Sequence, residues 1–486
     1  MDEFVGKIID CLTTKNRRMS IVRNPDGFLL RDDTKQVLGE NGLVLLPVKS
    51  GIELRVRYEL MDKFSSNKIC YIIDEIDSIL PDIKTQLYEA PPFAISRLLP
   101  ACNEMEILRA KINFKTASHI YNKKITYNLS GDETRSLVLT FEQIYGKDPQ
   151  VIINDLKSIP LNWENVETIE RISNIILKEI KRGAYTEIED AIQHLNKDFQ
   201  NFIDKRYFSF INSSPIQKPK LVHKILPHLA HKHKNNDKIV LLIIDGMSYW
   251  QYLILDKELK GIGIETTKEI TFAYLPSITK LSRQAIFRGA VPSLNYNQSH
   301  KEERKLWIDY WTNLQSNKKM QDFEIGYSHG NYQINNSNIY RLAIVDVSLD
   351  EKMHSSHNNK DLFVLTNNWA EEVSLHIKEL YQSGYTIYIT TDHGNIHANP
   401  WRSLDIEEKT YLYEKESKGK RHLIYNKTEY LEDFLQKNQE IKDDLLVHDT
   451  WAVWRNANNF SNTDNITHGG SHFLEVIIPF ITIENK

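Results

Sequence analysis

Two stretches constrain the fold more than any others: Lys238-Ile-Val-Leu-Leu-Ile-Ile-Asp245-Gly246 and Thr386-Ile-Tyr-Ile-Thr-Thr-Asp392-His393-Gly394. Each is an apolar, β-branched run that stops at a carboxylate followed by turn chemistry. Strands of a parallel sheet, covered on both faces, have this pattern. In open α/β sheets, ligands bind beyond the carboxyl ends of such strands. The two runs therefore predict that Asp245, Asp392 and His393 meet at one edge of one sheet. Hard carboxylates together with a borderline imidazole point to a metal site.

At 486 residues the chain is too long for one ordinary core, so two or three domains are expected. A net charge of −4 gives no global attraction to nucleic acid or to an anionic membrane surface. The three cysteines, Cys11, Cys70 and Cys102, show no metal spacing and fit a reducing cytosol, so a cytoplasmic location is expected. The leading residues lack the apolar segment of a signal peptide, and no run approaches the roughly 20 apolar residues of a membrane span. No membrane partner is expected.

Residues 1–150 alternate short strands and helices, with strands at Ser20 to Gly27, Leu43 to Val48 and Ile69 to Asp74 and helical patterning from Ile52 to Lys63 and Leu137 to Tyr145. They are expected to form a small α/β domain. Tyr71-Ile-Ile-Asp-Glu75 has the form of a Walker B strand, but no G-x-x-x-x-G-K-[ST] accompanies it, which argues against an ATPase. Residues 151–236 are expected as a helical spacer and linker, with Ile169, Ile172, Ile176 and Ile180 at helical spacing. They end in a histidine-rich basic stretch, His223 to Lys234, expected as a solvated helix face. Residues 237–486 resume strand–helix alternation and are expected to form the catalytic domain, with inserts at about 290–340 and 394–466.

Within that region, Leu275-Pro-Ser-Ile-Thr279 turns out of a strand into a helix that stops at Gly289. Thr279 at the helix start is either an ordinary N-cap or a hydroxyl nucleophile beside a phosphate held by the helix dipole. Asp350 and His354, four apart, can face one point across a helical turn, as can many surface pairs. His468 lies in Thr467-His-Gly-Gly-Ser-His472, a flexible loop or a close-approach site before the final strand.

Taken in order, Asp245, Thr279, Asp350/His354, Asp392-His393 and His468 resemble the alkaline phosphatase superfamily. More narrowly, Leu275 to Gly289, Thr391-Asp-His-Gly394 and His468-Gly-Gly-Ser-His-Phe-Leu-Glu-Val-Ile-Ile-Pro479 resemble PglZ-domain proteins of BREX-type phage-defence loci. Ile21 to Gly27 and Gly51 to Arg55 are similar to their leading region. The resemblance implies an α/β fold with an alkaline-phosphatase-like, mostly parallel sheet flanked by helices. It implies two divalent ions, zinc or else manganese, about 4 Å apart. One would take Asp245, Asp392, His393 and the Thr279 oxygen; the other would take Asp350, His354 and His468. Thr279 would attack phosphorus and pass through a phospho-threonine. The family word more often has one more residue before the serine of His-Gly-Gly-Ser-His, which makes His472 a rival to His468; the Gly-Gly neighbours favour His468.

The implied substrate is a phosphodiester, a nucleotide or nucleic acid, and the implied partners are other phage-defence proteins. The alternatives are a phosphomonoesterase of the same superfamily and a non-catalytic, partner-binding scaffold. A sulfatase would need a Cys or Ser in a C/S-x-P-x-R word, and the nucleophile position has none. Arg421, in Gly419-Lys-Arg-His422, is a candidate clamp for a substrate phosphate. Trp307, Tyr310 and Trp311 could stack on a base, but their helical spacing favours a core role.

Overall fold

Alternation along one strand organises the larger part of the chain. Ile239 to Ile244 are all buried, and successive side chains point to opposite faces. Ile239, Leu241 and Ile243 join one apolar cluster with residues of the helices Ile225–Lys232, Thr279–Arg288 and His300–Thr312. Val240, Leu242 and Ile244 join another, with residues of Val166–Arg182, Glu189–Arg206, Tyr249–Gly261 and Asn359–Gln382. Each such buried side chain contributes about 1.5–3 kcal/mol. The result is a sheet between two helical layers.

The structure is a computed structural model and describes residues 2–145, 149–314, 319–333, 336, 338–413 and 420–485. The chain divides into two units, Met1–Asp148 and Pro149–Lys486. The first holds a parallel sheet of β1 (Met19–Val22), β2 (Leu43–Pro47), β3 (Lys68–Ile72) and β4 (Tyr88–Glu89) in the order β2-β3-β1-β4. Asp74 and Glu75, beyond β3, are exposed.

In the second unit the strands are β5 (Ile239–Ile244), β6 (Thr267–Phe272), β7 (Ile325–His329), β8 (Arg341–Asp346) and β9 (Thr386–Thr390). Beyond them in the chain come β10 (Ile396–Pro400), β11 (His422–Ile424), β12 (Leu445–His448), β13 (Trp451–Trp454), β14 (Asn458–Asn459), β15 (Asn465–Thr467) and β16 (Ile477–Ile483). The main sheet has six strands in the order β6-β16-β9-β5-β8-β7. Strands β7, β8, β5 and β9 are parallel, and β16 runs antiparallel to both of its neighbours. Ile244 pairs with Asp346, Ile243 with Thr390 and Ile477 with Phe272. So β5, β8, β9 and β6 end at one edge, and β16 begins there. The segments leaving those four strands and the segment entering β16 therefore converge. Strands β10, β14 and β15 form one small sheet, and β11, β13 and β12 another.

The segment from 149 to 236 packs inside the second unit rather than spacing two units. Of the histidines in the basic stretch His223 to Lys234, only His231 is exposed. His223 and His228 are buried, on the carbonyls of Ile211 (3.1 Å) and Pro215 (2.7 Å), and His233 contacts the Tyr388 hydroxyl at 2.7 Å. Trp307 and Trp311 are core residues, with 0% and 1% exposure.

Candidate metal centre

The converging strand ends bring the predicted donors together in two groups. Asp245, Asp392 and His393 each offer a ligand atom within 4.8 Å of the others, and Asp350, His354 and His468 do the same. The imidazoles of His393 and His468 stack at 3.7 Å between centroids, so the two groups adjoin.

Hydrogen bonds fix which atom each residue presents. Asp392 Oδ1 accepts from the backbone N–H of Gly246 (3.2 Å) and of His393 (3.1 Å). His393 Nδ1 lies 3.0 Å from the Gly394 carbonyl, and His468 Nδ1 lies 3.3 Å from that of Ser277. A ring that donates from Nδ1 to a carbonyl presents a bare Nε2 to a cation. Burial, with His393 and His354 nearby, holds His468 well below its ordinary pKa, so it is a neutral donor. Burial and the Asp392 carboxylate raise Asp245 well above the usual range, whereas Asp392 is lowered against its burial by His393 and Arg283.

The donor set fits divalent ions on an independent observation. Asp245 Oδ1, Asp350 Oδ1 and Asp392 Oδ2 are buried without a hydrogen-bond partner among the described residues. Unpaired buried carboxylate oxygens are costly unless a cation meets them. Oxygen and imidazole donors in each group suit zinc or manganese.

Thr279 opens the helix Thr279–Arg288, whose N-cap is Ile278. Its hydroxyl therefore does not serve as the cap; it stands 3.0 Å from His393 Nε2 and is only partly buried. His472 is apart from both donor groups. Its Nδ1 accepts the Leu474 N–H at the start of the short helix Phe473–Val476.

The expectation that Arg421 clamps a substrate phosphate is corrected. Arg421 is 0% exposed and forms a two-pronged pair with Glu475 at 2.9 and 2.8 Å. A guanidinium so saturated and enclosed cannot reach a ligand. Gly419, which begins that basic word, lies outside the described residues.

Sequence patterning missed Arg283, four residues after Thr279. Its Nη1 donates to Asp245 Oδ2 at 3.0 Å, and its Nε lies 2.9 Å from Glu303 Oε1. Its place one turn along the helix that Thr279 opens was the available signal. Glu303 gave none.

This fold and donor set are those of an alkaline-phosphatase-like domain. Residues 222–483, more than half of the chain, match the BREX system PglZ alkaline phosphatase-like domain, and the chain belongs to the PglZ family. No curated protein matches it. Similar solved structures include murine ectonucleotide pyrophosphatase/phosphodiesterase 5, with 10% identity, 51% of this chain and 88% of that one covered, and a TM-score of 0.37. Phosphonoacetate hydrolase from Sinorhizobium meliloti 1021 has 10% identity, 51% and 89% coverage and a TM-score of 0.33.

Proposed function

We propose that the chain is a metal-dependent phosphoesterase with Thr279 as nucleophile, acting on phosphodiesters of nucleotides or nucleic acid. The observation that carries this reading is the Thr279 hydroxyl, partly exposed and 3.0 Å from His393 Nε2, beside two groups of cation donors. Asp245, Asp392, His393 and Thr279 would hold one ion, and Asp350, His354 and His468 the other. Such ions supply Lewis acidity to the phosphoryl oxygens and ease deprotonation of the attacking hydroxyl. The start of the helix at Thr279 favours a phosphate through its dipole. Thr279 Oγ1 forms a bond to phosphorus as the ester oxygen leaves, and water then releases the phosphoryl group from the threonine. Arg283 keeps Asp245 turned so that Oδ1 stays open.

The diester preference rests on the family resemblance, as does a role in bacterial phage defence beside other defence proteins. Hydrolysis of bis-(p-nitrophenyl) phosphate, compared with the monoester after loading with zinc or manganese, tests the preference. Equal or greater monoester turnover would overturn it. Phage challenge of cells carrying the chain or its Thr279→Ala form tests the defence role; equal protection by both would separate defence from hydrolysis.

A further inference from the structure

The buried pair of Arg421 and Glu475 touches no donor group, yet it lies against the loop that delivers one. Both side chains are 0% exposed. Arg421 Nε meets Glu475 Oε1 at 2.9 Å, and Nη2 meets Oε2 at 2.8 Å. Nη2 also donates to the Asn456 carbonyl at 2.8 Å, and Nη1 to that of Asn458. Glu475 Oε1 then accepts the Gly470 N–H at 2.8 Å, two residues from His468.

The loop sits flat on this pair. A Cβ at Gly470 would come within 2.3 Å of Arg421 Nη2 and 2.7 Å of the Trp454 carbonyl. Gly469 has φ +112°, and a Cβ there would come within 2.8 Å of His422 Nδ1. Only residues without side chains allow so close an approach. Ser277 fixes the loop as well: its hydroxyl donates to the Gly470 carbonyl at 2.7 Å, and its own carbonyl faces His468 Nδ1. Gln200, from the helix Glu189–Arg206, donates to the Ser471 carbonyl at 2.8 Å and accepts from the Ser471 hydroxyl at 2.9 Å.

A buried ion pair is a poor source of net stability, because desolvating both charges offsets most of their attraction. This one has a geometric consequence instead. His468 is the buried member of its donor group, while Asp350 is half-buried and His354 exposed. Where His468 points sets whether that group can close on a cation.

We propose that Arg421 and Glu475 are positioning residues for His468, and through it for the ion of the Asp350/His354/His468 group. The proposal rests on the two-ion reading above. Partners one step removed from metal ligands change affinity by about 10–100-fold. The test is titration of the metal-free full chain with Mn2+ or Zn2+, followed by calorimetry and elemental analysis, with folding checked by circular dichroism. Glu475→Gln should bind one ion as the wild type does and the other about 10–100-fold more weakly; the weakened ion should be the one that His468→Ala loses more severely, not the one that Asp392→Asn affects. The double variant Arg421→Met with Glu475→Leu removes both charges together, so it leaves neither unpaired; it should show the same selective loss and carries the test where the single variant fails to fold. Wild-type affinity for both ions in either folded variant would overturn the proposal. A wild-type chain that takes up no second ion would overturn the two-ion reading beneath it.

Discussion

The Thr279 hydroxyl and His393 Nε2 stand 3.0 Å apart, although 114 residues separate them in the chain. The helix start that carries Thr279 and the strand end that carries His393 meet because β6 and β9 finish at the same sheet edge. The other donors gather around this contact.

If Thr279 attacks as proposed, Thr279→Ala should lower turnover by roughly 1000-fold or more while both ions remain bound. Single-turnover kinetics with metal analysis checks this. Retained turnover would move the attack to water, because Ser277 is 0% exposed and committed to the Gly470 carbonyl.

Asp392→Asn should weaken binding on the Thr279 side by more than the roughly 10–100-fold expected of an outer partner, and activity with it. Its Oδ1 is committed to two backbone N–H groups, so the change falls on Oδ2. Titration with Mn2+ reads the loss, and unchanged affinity would remove Asp392 from the ligand set.

Arg283→Met should destabilise the metal-free chain by about 3–5 kcal/mol, because Asp245 and Glu303 lose their buried cation. Saturating Mn2+ should narrow the gap to the wild type, because a cation then faces the Asp245 carboxylate that the guanidinium has left. Urea unfolding with and without the ion measures both; equal losses would show that Arg283 is not coupled to the site.

The buried histidines should make the fold acid-labile. Burial holds His223 at about 4, below the 6.5 of a free imidazole. The native ring is then neutral, while the unfolded chain takes up a proton as the pH falls below 6.5. Stability from this group is fully present above 6.5 and is lost as the pH falls toward 4, up to about 3 kcal/mol. His223→Asn should flatten that part of the stability–pH curve measured by urea unfolding; an unchanged slope would contradict it.

The main sheet and the donors were legible because each depends on a local pattern. Apolar runs ending in Asp245 and Asp392, or a glycine-flanked His468, declare themselves within a few residues. Arg421 does not. Its neighbours form a basic word typical of a surface turn, and its partner Glu475 lies 54 residues away. Arg283 was hidden in the same way, because nothing near Glu303 or Asp245 in the chain marks them as its partners. The helix Glu189–Arg206 showed an apolar face but not what that face covers. Its Gln200 and Asn196 bond to the loop beyond His468, contacts of 271 and 277 residues' separation. Periodicity finds a face; only the fold finds the partner.

The order of strands in the main sheet has a consequence for when the protein can act. β6, which leads to Thr279, is an edge strand that joins the sheet through β16; its other ladder contact is an isolated bridge from Phe272 to Leu221, outside the sheet. A nascent chain that has not yet extruded residues 468–483 lacks both His468 and the strand that seats β6 and, with it, the helix start at Thr279. On the proposed reading such a chain would be silent on the ribosome, and hydrolysis would begin only once that strand has slotted in between β6 and β9.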